Sequence, residues 1–280
     1  MAASAWSHSH PSTAERMSSP GDDTPASAPP EIDGRNWRCI DFISDVHLCE
    51  QQPRTFEAWR HYLDTTPAQA LFILGDLFEV WVGDDLLNEA SSVFERSCVD
   101  ALRKTARRMP VHFMCGNRDF LVGNDLMQRT GMLALQDPTL LQTSVERVLL
   151  SHGDAWCLDD HEYLAFRAEV RSAAWQQAFL ARPLTERLAL ARDMRSASES
   201  RKRTHTPYAD VDDTHATQWL RRCQADMLLH GHTHRPATHT MPEGHARWVL
   251  SDWDVDAQPP RAQVLRWHGD WSRIDLPGRL

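Results

Sequence analysis

Short apolar segments that end in polar clusters recur along the chain from residue 37 onward. Five of them have the length and apolar content of buried strands, namely CIDFIS, ALFIL, VHFMC, RVLL and MLL. Two later strands are expected at 246–251 and 263–267. Helix-like stretches lie between several strands, at 54–64, 87–108 and 213–223. This alternation predicts an α/β domain of layered sheets and helices, in which ligands collect beyond the C-terminal ends of the strands.

Two parts of the chain depart from this alternation. Residues 1–36 are rich in Ser, Pro, Ala and Asp and have no helical or strand period, so we expect a disordered extension ahead of a domain spanning 37–280. Residues 159–202 are helical in composition, with Pro183 as the expected break between two helices. We interpret this segment as a helical insertion above the strand ends.

Composition and charge exclude several classes of protein. With 280 residues, 41% of them apolar, the chain can bury a sizeable core. No apolar run approaches the roughly 18 residues of a membrane span, and the N-terminal sequence does not resemble a secretory signal, so a cytoplasmic protein is expected. Six cysteines without a CxxC pair suggest neither a zinc ribbon nor a disulfide framework. The net charge of −9 argues against a nucleic-acid partner, and no protein partner is indicated.

Polar residues follow five of the predicted strands. They are Asp45-Val46-His47, Gly75-Asp76, Gly116-Asn117-Arg118-Asp119, Ser151-His152-Gly153-Asp154 and Gly231-His232-Thr233-His234. Each alone could be a turn or a hydrogen-bonded histidine, but five in order are hard to explain by turn chemistry. In an extended segment residues i and i+2 point the same way, so Asp45 and His47 should face one point, as should His232 and His234. Oxygen and nitrogen donors without a thiolate suit Mn²⁺, Fe or Zn²⁺, and the set predicts a two-metal site.

The order D-x-H, GD, GN-[H/R]-[D/E], H and G-H-x-H resembles the calcineurin-like metallophosphoesterases, over about residues 39–235. The resemblance implies an αββα sandwich and hydrolysis of a phosphoester or phosphoanhydride, with two divalent ions about 3.5–4 Å apart that activate a water. It places Asp45, His47 and His234 on one metal and Asn117, His152 and His232 on the other. It also makes the Asp76 carboxylate the bridge between them.

Arg118 limits the kind of leaving group that we expect. Many members of that superfamily carry a histidine at this position, which is thought to protonate the leaving alcohol. An arginine side chain, with a pKa above about 12, cannot do so. The leaving group should then depart without being protonated. A phosphate monoester that leaves from a pyrophosphate is such a group. Arg118 would instead clamp phosphate oxygens.

Longer runs carry a closer resemblance, to the UDP-2,3-diacylglucosamine pyrophosphohydrolases of lipid A biosynthesis. These runs are GDLFEVWVGDD, GNRDFLVG, SHGDAWCLDD, YLAFRAEVR and HGHTHRP. The resemblance implies water attack on the α-phosphate of UDP-2,3-diacylglucosamine, which gives UMP and 2,3-diacylglucosamine 1-phosphate (lipid X), with two Mn²⁺ ions per chain. It further implies a Gram-negative host and a peripheral location on the cytoplasmic side of the inner membrane.

The resemblance also implies roles for individual side chains. The catalytic positions are Asp76, Asn117, Arg118 and His232. The substrate-contacting positions are Asn117, Arg118, Asp160, Ser198, Lys202, His205 and His232. Lys202 and His205 depart from some relatives, in which an asparagine and a lysine stand there. Asp119 and Asp154 are expected to hydrogen-bond ligand histidines or loop amides, and His230 is expected to be a supporting residue.

The insertion has two interpretations. Its apolar side chains and arginines could shelter the acyl chains of a diacylated sugar beside an anion site, or dock on a membrane surface. They could equally pack on the core and lie in solvent, as such residues more often do.

Two alternatives to the whole reading remain open. One is a different metallophosphoesterase, such as a nucleotide pyrophosphatase or a cyclic-nucleotide phosphodiesterase. Arg118 and the insertion argue against this alternative. The other is a non-catalytic scaffold of the same fold, against which the seven filled ligand positions speak.

Overall fold

The computed structural model describes residues 28–203 and 209–276. The strands described are β1 (Glu31–Asp33), β2 (Ile40–Ile43), β3 (Ala70–Leu74), β4 (Val111–Met114), β5 (Leu133–Leu135), β6 (Thr139–Gln142), β7 (Arg147–Ser151), β8 (Met227–His230), β9 (Ala237–Thr240), β10 (Ala246–Val249), β11 (Gln263–Trp267) and β12 (Trp271–Asp275). The α-helices described are α1 (Pro53–Thr65), α2 (Val93–Ala106), α3 (Asn124–Thr130), α4 (His161–Val170), α5 (Ala173–Leu180), α6 (Leu184–Arg203) and α7 (Asp213–Cys223).

The strands form two mixed six-stranded sheets. One has the order β1-β6-β7-β8-β10-β9 and the other β12-β11-β2-β3-β4-β5. Alternation along the central strands builds the layers: Phe72 packs between the two sheets with Val148 and Leu229, whereas its neighbours Leu71 and Ile73 face the helices. On the outer side of the first sheet, α7 packs against β7 and β8. The result is the layered αββα arrangement of the predicted α/β fold.

The seven strands expected from the apolar pattern all lie in these sheets, and the missed strands are short or polar. One of them corrects the prediction for residues 1–36. Glu31–Asp33 forms β1, which pairs in parallel with Leu140–Gln142 of β6. A three-residue edge strand depends on a partner that is distant in sequence, so its local composition gives no signal. Residues 1–27 lie outside the described part of the chain.

The insertion contains three helices, α4 to α6, instead of the expected two. Pro183 lies at the predicted break, between α5 and α6, and a second break falls at Ser172. The Ser172 hydroxyl accepts a hydrogen bond from the Trp175 backbone N–H at 3.3 Å and so caps α5. None of the described helices combines the length and apolar content needed to cross a membrane.

A buried arginine fixes the insertion to the rest of the domain. Arg187 of α6 is 1% exposed, and its guanidinium donates to the Asp85 carboxylate at 2.9 Å and to the Val82 carbonyl. Both acceptors lie in the loop that follows β3. The insertion is therefore held close to the loop that carries Asp76.

A buried histidine in β4 leads to a pH-dependence prediction. The His112 ring stacks on Phe72 at a centroid distance of 4.5 Å, and its buried Nε2 has no hydrogen-bond partner in the described part of the chain. Burial lowers the pKa of His112 from 6.5 to about 4, so the unfolded chain binds a proton at a higher pH than the folded chain does. The free energy of unfolding should therefore fall as the pH drops from about 6.5 to about 4.

The measurement is urea unfolding of the wild type and of His112→Phe at a series of pH values, because phenylalanine keeps the stacking and cannot titrate. The difference in unfolding free energy between the two proteins should change with pH only inside that window. Parallel pH profiles would contradict the assignment.

Candidate active site

The predicted site residues lie in five loops that follow β2, β3, β4, β7 and β8. Backbone hydrogen bonds hold these loops together: Asp45 N–H donates to the Gly75 carbonyl at 3.1 Å, His47 N–H to that of Asp76 at 3.0 Å, and Gly231 N–H to that of His152 at 3.0 Å. One sheet provides the loops of Asp45, Asp76 and Asn117. The other provides those of His152 and His232, so the site forms where the two sheets meet.

Two groups of side chains have the spacing of metal ligands. Asp45, His47 and His234 form one, and Asp45, Asp76 and His152 form the other. Asp45 Oδ1 lies 3.3 Å from His234 Nε2 and 4.0 Å from His47 Nε2, and the two histidine Nε2 atoms are 3.2 Å apart. Among the described residues Asp45 is the side chain common to both groups. The bridging role of Asp76 stays a prediction.

Asn117 connects the second group to His232. Its Oδ1 atom lies 3.0 Å from His152 Nε2 and 2.8 Å from His232 Nδ1. His152 Nδ1 is 2.9 Å from the Leu74 carbonyl oxygen, which can only accept, so Nδ1 carries a hydrogen and Nε2 faces the site. The seven predicted ligands therefore converge on one place.

The predicted reason for this convergence is wrong. Asp45 and His47 lie in the loop after β2, and His232 and His234 lie in the loop after β8. Because none of these residues belongs to a strand, the two-residue period of a strand does not orient them. Left-handed backbone conformations orient these side chains instead. Of the seven non-glycine residues with positive φ in the described chain, five are predicted ligands, namely Asp45, His47, Asp76, His232 and His234. Such conformations cost about 1–3 kcal/mol each and cluster at functional sites.

Glycines allow these loops to approach one another. A Cβ at Gly116 would overlap the Asp76 carboxylate, and a Cβ at Gly231 would overlap Asp45 and Ser44. The G of the GN and GHTH motifs is therefore required by the close contact of the ligand loops.

Buried carboxylates give the site a negative potential. Burial alone would lower the pKa of His152, but the charges of Asp76, Asp154 and Asp45 raise it to about 9. Burial would raise the pKa of Asp45, yet the neighbouring His234, His152 and His47 hold it far below its usual range. By contrast, burial and the nearby His152 lower the pKa of His232 to about 3, which keeps that imidazole neutral.

These observations fit a pair of divalent transition metals. The donors are carboxylate and amide oxygens and imidazole nitrogens, with no thiolate among them, a set that suits Mn²⁺, Fe or Zn²⁺. The potential that favours a protonated His152 also favours a bound cation. The left-handed backbone at five of these residues directs the donors towards one place.

Asp119 and Asp154 support the site in different ways. Asp119 accepts hydrogen bonds from the backbone N–H groups of Leu77 and Gly116, both at 2.7 Å, which confirms the prediction of loop amides. Asp154 does not hydrogen-bond a ligand histidine. Its Oδ2 accepts from the Tyr163 hydroxyl at 2.6 Å and from Arg167 Nε at 2.8 Å, so it joins α4 of the insertion to the loop of His152.

Arg118 lies at the edge of the site, and a residue that the sequence analysis did not single out contacts it. The Arg118 backbone N–H donates to Asp76 Oδ1 at 2.7 Å, and its Nη1 donates to Glu79 Oε1 at 3.1 Å. The other oxygen of Glu79 lies 3.1 Å from His47 Nδ1. The signal available was an acidic residue within the apolar run LFEVWV, with no basic residue close to it in sequence.

The remaining predicted positions are only partly described. His230 ends β8, with Nδ1 2.8 Å from the Gly231 carbonyl and Nε2 3.3 Å from Arg247, and belongs to neither ligand group. Asp160 caps α4 by accepting from the Tyr163 N–H at 3.0 Å. Ser198 and Lys202 lie in α6 beyond the last described side chain, and His205 lies outside the described residues.

The apolar side chains of the insertion divide between the two interpretations. Several pack against the larger core, namely Trp175, Phe179, Leu184, Leu188 and Met194. Phe166 and Leu180 remain exposed, each at 42%. Arg187, which the sequence grouped with an anion site, is instead committed to Asp85.

Comparison with known proteins places the chain in a family. The calcineurin-like phosphoesterase family model matches residues 40–236. A UDP-2,3-diacylglucosamine hydrolase of Bordetella pertussis is 40% identical over 242 residues, covering 84% of this chain and 91% of the relative. Proteins of the same name from Chromobacterium violaceum and Aromatoleum aromaticum are each 44% identical, over 76% and 84% of this chain and 90% and 95% of theirs. The chain therefore belongs to the calcineurin-like phosphoesterases and, among them, to the family of these UDP-2,3-diacylglucosamine hydrolases.

Proposed function

We propose that this protein hydrolyses the pyrophosphate bond of UDP-2,3-diacylglucosamine in lipid A biosynthesis. Water attacks the α-phosphorus, the bond from that phosphorus to the bridging oxygen breaks, and the products are UMP and 2,3-diacylglucosamine 1-phosphate, with release of a proton. The observation that carries this proposal is the convergence of seven oxygen and nitrogen donors beside Arg118. The names of the relatives supply the substrate.

Two Mn²⁺ ions are the proposed cofactors. Asp45, His47 and His234 would hold one, Asn117, His152 and His232 the other, with Asp76 shared. Bound divalent ions lower the pKa of a water molecule and neutralise phosphate oxygens.

The protein's own groups orient the substrate. Asn117 and His232 lie beside the other donors, because Asn117 Oδ1 contacts both His152 Nε2 and His232 Nδ1. Arg118 presents a permanent positive charge to the phosphate oxygens. Because a guanidinium does not give up a proton at neutral pH, Arg118 does not protonate the leaving phosphate.

The insertion is the proposed contact with the lipid part of the substrate. Phe166 and Leu180 are exposed apolar side chains on α4 and α5, and Asp154 joins α4 to the loop of His152. Asp160, Ser198, Lys202 and His205 are the proposed polar contacts. We further propose peripheral binding to the cytoplasmic side of the inner membrane, which sedimentation with phosphatidylglycerol vesicles tests. Recovery of all the protein in the supernatant would refute membrane binding.

The decisive experiment is product identification after hydrolysis of UDP-2,3-diacylglucosamine in ¹⁸O-labelled water with Mn²⁺. Mass spectrometry should find the label in UMP. Label in the sugar phosphate would place the attack on the β-phosphorus. Cleavage of a soluble nucleotide with the lipid substrate untouched would refute the proposed substrate. Assays with Mn²⁺, Zn²⁺, Fe²⁺ and Mg²⁺ in parallel test the metal, and Mn²⁺ should give the highest turnover.

A further inference from the structure

The geometry points to Glu79 as a positioning residue, one carboxylate that orients both the metal-ligand histidine His47 and the phosphate-binding Arg118. This inference rests on the proposed function for the roles of those two residues. Glu79 Oε2 is 3.1 Å from His47 Nδ1, and Glu79 Oε1 accepts from Arg118 Nη1 at 3.1 Å. The two oxygens of one side chain thus contact two parts of the catalytic apparatus.

The backbone of Glu79 is fixed on both sides. Its N–H donates to the Leu48 carbonyl at 3.1 Å, one residue beyond His47, and Trp81 N–H donates to the Arg118 carbonyl at 3.3 Å. Leu48 and Phe78 also form an isolated parallel bridge. The loop of Glu79 therefore lies between the loops of its two partners.

Glu79 and its two partners are largely buried, which strengthens the interaction between their charges. Glu79 is 9% exposed, and the side chains of His47 and Arg118 are 12% and 16% exposed, so water screens these charges little. The Arg118 contact is a hydrogen bond, whereas the His47 contact has ion-pair distance without the alignment of a hydrogen bond, and together they place Glu79 between its two partners.

The two contacts have different consequences. A carboxylate can only accept, so it favours the tautomer of His47 with hydrogen on Nδ1, which leaves Nε2 free to face Asp45 and His234. On the other side, one guanidinium nitrogen of Arg118 is held by Glu79 and the rest of the fork stays available to phosphate oxygens. Glu79 should thus affect metal affinity through His47 and catalysis through Arg118.

Glu79→Gln tests the first contact. Glutamine keeps the size of the side chain but has a single acceptor oxygen and no charge, so it cannot serve both partners. Mn²⁺ affinity, measured by calorimetric titration of metal-free protein, should fall about 10–100-fold, the loss typical when the partner of a ligand histidine is removed. Glu57→Gln is the matched control, since Glu57 is exposed on α1 and paired with Arg60, and its Mn²⁺ affinity should equal that of the wild type.

A double-mutant comparison tests the second contact. At saturating Mn²⁺, Glu79→Gln should lower kcat/KM for the lipid substrate about tenfold in the wild-type background and have little further effect in an Arg118→Ala background. Thermal unfolding of every variant, with and without Mn²⁺, identifies a purely structural loss.

Each outcome decides the inference. Unchanged Mn²⁺ affinity in Glu79→Gln overturns the His47 contact, and an equal loss of kcat/KM in both backgrounds overturns the Arg118 contact. A lower melting temperature of the metal-free variant with neither effect assigns Glu79 to folding alone. If the wild type binds Mn²⁺ but leaves the lipid substrate intact, the proposed function fails, while the Mn²⁺ titrations still decide the His47 contact.

Discussion

Changing Asp45 to asparagine should lower kcat for UDP-2,3-diacylglucosamine hydrolysis about a thousandfold. Asp45 belongs to both ligand groups, is fully buried, and accepts the His232 N–H through Oδ2 at 2.9 Å. Removing its charge therefore weakens both proposed metal positions and the loop that carries His232. Loss of metal-derived charge stabilisation is worth several kcal/mol, and a thousandfold loss corresponds to about 4 kcal/mol.

The measurement is kcat at saturating substrate over a range of Mn²⁺ concentrations, together with the metal content of the purified protein. Asp76→Asn serves as a comparison within the site and should also lose most activity. Asp64→Asn is the control outside it, because Asp64 is exposed and paired with Lys104. Near-normal turnover of Asp45→Asn at any Mn²⁺ concentration would show that the site is wrongly assigned.

Arg266→Met should be the most destabilising of the substitutions considered, with about 3 kcal/mol lost from the free energy of unfolding. Arg266 of β11 donates to both oxygens of Asp41 in β2, at 2.7 and 2.8 Å, and Asp41 is fully buried. Among the described residues, the hydroxyls of Tyr62 and Thr66 are the hydrogen-bond donors that this carboxylate keeps without Arg266. Breaking a buried ion pair by removing one partner typically costs 3–5 kcal/mol, and the hydroxyls place the expected loss at the lower end.

Guanidinium unfolding of metal-free protein measures this effect, and the melting temperature should fall by about 10 °C. Arg54→Met is the matched control, since Arg54 forms an exposed ion pair with Asp256 and such pairs contribute about 0–1 kcal/mol. A loss no larger than that of the control would mean that the Asp41 pair contributes little to stability.

The layered fold was predictable because its central strands are apolar on both faces. Strands such as β3, with all five residues buried, stand out in any sequence as short apolar runs. β1 and β9 were missed because their side chains alternate between intermediate and exposed, and their pairing is set by tertiary neighbours.

The site residues were predictable from motif order, but their geometry was not. The period of two grouped Asp45 with His47, which the structure also does, but His232 lies against Asn117 and His234 beside Asp45 and His47, and left-handed backbone orients these residues. Such conformations depend on the packing of neighbouring loops, and no local rule indicates them for Asp or His.

Supporting contacts were the least predictable part. Glu79 lies 32 positions after His47 and 39 before Arg118, and Asp154 pairs with α4 instead of with a histidine. A charged residue needs a partner only if it is buried. The sequence does not show whether it is buried, because burial depends on the fold.

The division of the ligands between two sheets has a consequence for biogenesis. His47 and His234 are 187 positions apart, and the loops of Asp45, Asp76 and Asn117, after β2, β3 and β4, are synthesised before those after β7 and β8. A ribosome-bound chain that ends before residue 234 lacks a ligand of the first group, so a complete site cannot form until β8 and the loop after it have emerged and docked. Metal capture then comes late in synthesis, and the stable holoprotein is formed after translation has passed the GHTH motif.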